Sequence, residues 1–135
     1  MILVDTCVLV DVSTKDPRWA NWSSDQLASW AERGPLLINP MVFAEWCADF
    51  QNLALAESAV DAFGLVWKGI PREALFLASR AHLQYRRQRG TRPMVLPDFL
   101  IGAHAAVERL PLLTRDRRRF ETYFNGLEIV APESN

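Results

Sequence analysis

Four carboxylates stand where this sequence could do chemistry. Asp5 follows the apolar run Ile2-Leu3-Val4, and Asp116 follows Leu112-Leu113-Thr114-Arg115. Both runs read as short buried strands of a parallel sheet, which puts each acid at a strand's C-terminal edge. In open α/β sheets the ligand crevice lies outside that edge. Asp98 opens a helix after Pro97, and Glu45 lies inside another among Val42, Phe43, Ala44 and Trp46. A carboxylate among apolar neighbours is rarely buried without a partner. Converging acids repel and raise one another's pKa values, which costs stability unless a cation neutralises them. Oxygen donors suit Mg2+ or Mn2+, and such an ion can turn water against a phosphodiester. Each acid also has a plainer reading: Asp5 as a helix N-cap, Asp98 as a first-turn charge, Glu45 as an exposed residue four before Asp49.

The elements that must position these acids alternate between strand and helix. After the first strand, Thr6 to Val12 reads as a short helix and Ser13 to Ser24 as a polar loop containing Pro17, Trp19 and Trp22. Ser23-Ser24-Asp25-Gln26 fits a capping box opening a helix that Gly34-Pro35 ends. Leu36-Leu37-Ile38 predicts a strand, and Asn39-Pro40 the cap and first position of a helix through Phe50. A helix from about Ala54 to Phe63, a strand Leu65-Val66-Trp67 and a long helix from Arg72 to about Arg89 follow. Gly90 to Pro93 reads as a loop, Phe99 to Arg109 and Arg117 to Phe124 as helices, and Leu127 to Val130 as a closing strand. This alternation predicts one α/β domain over residues 1–135, its mostly parallel sheet of about four to five strands covered by helices on both faces.

Composition narrows the function classes. Half of the 135 residues are hydrophobic and the net charge is −1, which fits a soluble globular domain. The charge is unevenly spread: residues 1–67 hold 3 Lys/Arg against 9 Asp/Glu, and residues 68–119 hold 12 against 4. A basic segment facing carboxylates suits a polyanion held through metal ions, although solvated helix faces give similar counts. No basic segment precedes Ile2, and the uncharged run 34–44 is too short to cross a bilayer, so a cytoplasmic protein without membrane attachment is expected. Cys7 and Cys47 read as reduced thiols, His82 and His104 as packing residues, and Trp30, Trp46 and Trp67 as core. Trp19 and Trp22 could serve a protein interface.

Taken in order, strand–Asp5-Thr6, Glu45 in a helix, Pro97-Asp98 opening an Ala-rich helix, and Leu112-Leu113-Thr114-Arg115-Asp116 resemble a PIN-domain ribonuclease. More narrowly, the chain is similar to the VapC-type toxins of toxin–antitoxin pairs, including its ending Leu127-Glu128-Ile129-Val130-Ala131-Pro132. The resemblance implies a PIN-like three-layer sandwich and a metal-dependent endoribonuclease. In it Asp5, Glu45, Asp98 and Asp116 form the catalytic, metal-binding cluster for Mg2+ or Mn2+, with Thr6 and Thr114 as supporting hydroxyls. The implied partners are RNA such as tRNA or rRNA, a VapB-like antitoxin seated on the helices from Pro40 to Phe63, and a second copy of the chain. Cys7 departs from the family pattern, where Ser or Asn is usual. Arg115 and Arg117, with Arg118 and Arg119 beside them, are expected phosphate contacts, since a helix start disfavours cations. Arg86, Arg87, Arg89 and Arg92 could extend that surface or only solubilise a helix end. Two rivals stand: a PIN-fold RNA- or protein-binding module without activity, and a receiver-like phosphoacceptor. The latter would want a second acid beside Asp5 and a Lys ending a late strand.

Overall fold

The computed structural model describes residues 1–88 and 94–133. Among these residues five short parallel strands form one sheet: β1 (Ile2–Val4), β2 (Leu36–Ile38), β3 (Leu65–Trp67), β4 (Leu112–Leu113) and β5 (Ile129–Val130). Their order across the sheet is β3-β2-β1-β4-β5. Strands β1, β2 and β4 are buried at every residue, as continuous aliphatic runs covered on both faces should be. The register sets Leu3 beside Leu37 and Leu112, and Val4 beside Leu113.

Among the described residues seven helices flank the sheet: α1 (Thr6–Ser13), α2 (Ala20–Ala31), α3 (Pro40–Trp46), α4 (Leu53–Ala62), α5 (Arg72–Gln88), α6 (Leu96–Val107) and α7 (Arg117–Glu121). Their starts are chemically marked. Asn39 accepts hydrogen bonds from Met41 N and Val42 N, Asn52 from Leu55 N, and Asp116 from Arg119 N. The Asn39 amide nitrogen meets His104 Nδ1 at 3.1 Å, and His104 Nε2 meets Glu108 Oε2 at 2.8 Å, a buried link from α3 to α6. The core gathers around Trp46, Phe99, Ile101 and Phe120, all fully buried. Gly102 on α6 lets that helix approach the ring of Phe124, which a Cβ would meet at 2.4 Å.

The order β3-β2-β1-β4-β5 is not the 2-1-3-4-5 order of receiver-like domains, so that rival does not have this fold. Several local expectations also change. The expected loop 13–24 becomes helical at Ala20: the Asp16 carboxylate gathers Arg18 N and Trp19 N into a turn that starts α2 early. Ser23 is therefore no cap; it is buried in α2 and donates to Asp11 at 2.7 Å. The helix expected through Phe50 ends at Trp46 and tightens into a 3-10 turn, Cys47–Asp49, before extended Phe50. Both final elements are shorter than expected. Trp67, expected in the core, is 53% exposed on the edge strand β3, its ring against Phe43. The expected loop 90–93, together with Arg89 and Arg92, lies outside the described residues.

Candidate active site

The strand order reverses about β1, which lies between β2 and β4, and the crevice of such a sheet opens at the C-terminal ends of the strands where the order turns. Asp5 and Thr114 leave β1 and β4 there, tied by Asp5 N donating to Leu113 O at 2.8 Å. Asp116 follows two residues on, where its backbone N–H donates to Thr114 Oγ1 at 3.1 Å.

Three of the four acids stand at helix starts. Asp5 caps α1 through Thr6 N, Asp116 caps α7, and Asp98 reaches back to Val95 N at the start of α6. The plain capping readings are thus correct, and capping is also how the fold aims these carboxylates at one crevice. Glu45 comes from the interior of α3, where Thr6 Oγ1 donates to its Oε1 at 2.7 Å.

Asp5 is buried, 4% exposed. Thr114 Oγ1 donates to its Oδ2 at 2.8 Å, and the Cys7 thiol lies 3.4 Å from the same oxygen. Burial holds the Asp5 pKa above its ordinary value, against the hydrogen bonds of Thr114 and Cys7 and the charge of Arg119. Glu45 is also raised, chiefly by burial, with Asp5 and Asp98 adding repulsion and the Thr6 hydroxyl opposing. Burial and the neighbouring Asp5 push the Cys7 thiol up to about 12, so Cys7 acts here as a neutral donor.

Arg119, expected only beside Arg117 as a phosphate contact, pairs instead with two of the acids. Its Nη1 lies 3.3 Å from Asp98 Oδ1 and its Nε 3.6 Å from Asp116 Oδ2, so one guanidinium joins α6 to α7. Burial alone would lower its pKa; the charges of Asp98, Asp5 and Asp116 more than offset that, and the net direction is up. The signal was slight: Arg119 stands three residues after the cap Asp116, on the turn whose amide caps back to that carboxylate.

Two of the expected phosphate contacts have partners within the chain. Arg117 donates to Ile129 O at 3.0 Å, pinning α7 to β5. Arg115 Nε pairs with buried Asp11 at 2.7 Å, without the angle of a hydrogen bond. Arg118 is exposed and borders the same cleft as Arg115 and Asp116. His82 packs against Phe99, consistent with the packing reading.

The carboxylates fit a hard divalent cation by donor type. By arrangement they do not: among the described residues no three His, Cys, Asp or Glu side chains stand together as a ligand set. Arg119 holds Asp98 and Asp116, and the hydroxyl of Thr114 holds Asp5, so here the site's negative charge is offset from within the chain.

No protein-family model and no curated protein matches the sequence. Solved structures do. The VapBC2 complex of Rickettsia felis bound to a promoter DNA fragment contains a chain 19% identical, superposing with a TM-score of 0.74 over 98% of this chain and 100% of that one. A chain of VapBC-1 from nontypeable Haemophilus influenzae is 16% identical, with a TM-score of 0.72 over 97% and 98%. DNA-bound VapBC of Salmonella typhimurium gives 19% and 0.68 over 97% and 98%. At these identities the likeness is one of fold: this chain has the PIN-like α/β sandwich found in VapBC toxin–antitoxin complexes.

Proposed function

We propose that this chain is a Mg2+- or Mn2+-dependent endoribonuclease and the toxin of a VapBC-type pair. The observation that supports it is the placing of Asp5, Glu45, Asp98 and Asp116 at the reversal of a PIN-like sheet, with Asp5 raised by burial and Glu45 by burial and then by the charges of Asp5 and Asp98. Such charge is costly to assemble and is favoured where a cation will be held. With Arg119 withdrawn from Asp98 and Asp116, the carboxylates would supply oxygen donors to a divalent ion, whose charge would offset that developing on a phosphoryl group. This chain's own residues hold the carboxylates in place: Thr114 and Cys7 orient Asp5, Thr6 orients Glu45, and Arg119 must release Asp98 and Asp116.

Cleavage of a mixed RNA pool tests the reading. The wild type should cut with Mg2+ or Mn2+ and stop with EDTA, and Asp5→Asn and Asp98→Asn should each lose the activity. Equal cutting by all three would assign it to a contaminant. No cutting by folded protein free of a partner would favour the second reading, a PIN-fold binding module, which the closed Arg119 bridge supports. The antitoxin is assigned to the α3–α4 side, where Leu53 and Leu55 are exposed and a groove of about 350 Å3 lies between Phe43, Val60 and Trp67.

A further inference from the structure

We infer that the cleft beside Asp116 is a subsite for one unpaired nucleotide of a single-stranded RNA, its base seated against Trp19 and the guanidinium groups around it. The inference rests on the ribonuclease reading of the neighbouring acids and supplies what that reading lacks, a place for the strand.

Trp19 sits half-buried at the entry to α2. The guanidinium of Arg18 lies 4.9 Å from its ring centre and that of Arg115 5.4 Å, while Trp22 meets its edge at 6.3 Å. With two guanidinium groups over one indole, a base can add to the stack on the outer plane of a guanidinium or by taking the place of one. Arg115 is fixed from behind by Asp11, which is 1% exposed and held in turn by Ser23. Arg115 meets Asp11 through its Nε, which makes no hydrogen bond among the described residues. The cleft they border has a volume of about 490 Å3, within the range of roughly 300–1,000 Å3 for small-ligand sites. Asp116 and the exposed Arg118 share its wall, so a nucleotide seated there would adjoin the acidic crevice.

Charge selects the class of ligand. Four arginines line the cleft, but Asp116, Glu121 and Glu133 line it too. So even a balance gives little phosphate neutralisation, and affinity must come largely from stacking. Stacking needs a base already out of its helix, which a duplex does not offer. This accounts for an aromatic pair at 19 and 22 that the alternation of strands and helices does not require.

The test is anisotropy of a labelled, short 2′-O-methyl RNA, which binds without being cut, against the wild type, Trp19→Ala, Trp19→Phe and Arg115→Gln. Trp19→Ala should weaken binding about tenfold or more, Trp19→Phe should keep most of it, and the duplex should bind less well than the strand. Because stacking dominates, affinity should fall only shallowly with salt. Thermal melting confirms that each variant is folded. Equal binding by wild type and Trp19→Ala, preference for the duplex, or no binding of the strand by wild type each overturns the subsite. Trp19-dependent binding by a wild type that cuts no RNA keeps the subsite and sinks the nuclease. RNA cutting that Trp19→Ala leaves unchanged does the reverse.

Discussion

At Asp5, three donors do not offset the cost of taking a carboxylate out of water, and the folded-state pKa stays above the ordinary 3.8. A raised carboxylate pKa means that the folded chain binds this proton more tightly than the unfolded chain does. Folding therefore loses stability as pH climbs from the ordinary value through the raised one. Glu45, raised from 4.5, acts in the same direction. Melts in EDTA should show Asp5→Asn above wild type at pH 7, the gap closing as pH falls below the ordinary carboxylate range. A variant that melts lower at pH 7 would mean that the hydrogen bonds outweigh burial. Arg119→Gln should do the opposite at neutral pH. It strips two carboxylates of their counter-charge and should cost on the order of 1 kcal/mol, discounted for its partial exposure. Added Mn2+ should recover that loss if the freed acids take up a cation.

Among the elements, α3 depends most on one side chain. Asn39 is fully buried, caps two amides and meets His104. Asn39→Ala should cost about 2 kcal/mol or more, since capping alone accounts for up to about 2, and should displace Glu45 with the helix. Urea unfolding measures the first, and RNA cutting the second. Gly102→Ala should cost about 1–3 kcal/mol because its methyl group runs into the Phe124 ring. The sequence displayed the strands well: Ile2-Leu3-Val4 and Leu36-Leu37-Ile38 are uninterrupted aliphatic runs, and Asn39-Pro40 announces its helix. The start of α2 was not legible, because the signal sits in Asp16, whose carboxylate organises residues beyond Pro17 instead of capping in place. Arg119 was hidden in a run of three arginines, where only the register of a single turn decides which one faces the acids. Asp11 was hidden too, as a polar residue in an apolar stretch whose partners, Ser23 and Arg115, are 12 and 104 positions away.

Across the whole molecule apolar side chains are exposed both beside the acids, at Val95 and Leu96, and at the edge of the sheet. The acids crowd the reversal between β1 and β4, whereas β3 ends the sheet with Val66 and Trp67 about half exposed. An edge strand that shows apolar side chains invites pairing. Without a partner the purified chain should self-associate, and Trp67→Lys should shift it toward the smaller species in sedimentation. No helix among the described residues is long and apolar enough to cross a membrane. The link from Asn39 to His104 has a spectroscopic consequence. Asn39 spends its oxygen on α3, so its NH2 faces His104 Nδ1, which must accept, and the ring proton sits on Nε2 toward Glu108. A single imidazole in nitrogen-detected NMR should show one pyridine-like and one pyrrole-like resonance. Loss of that contrast would report α3 leaving α6, a view of the acidic crevice that needs neither RNA nor metal.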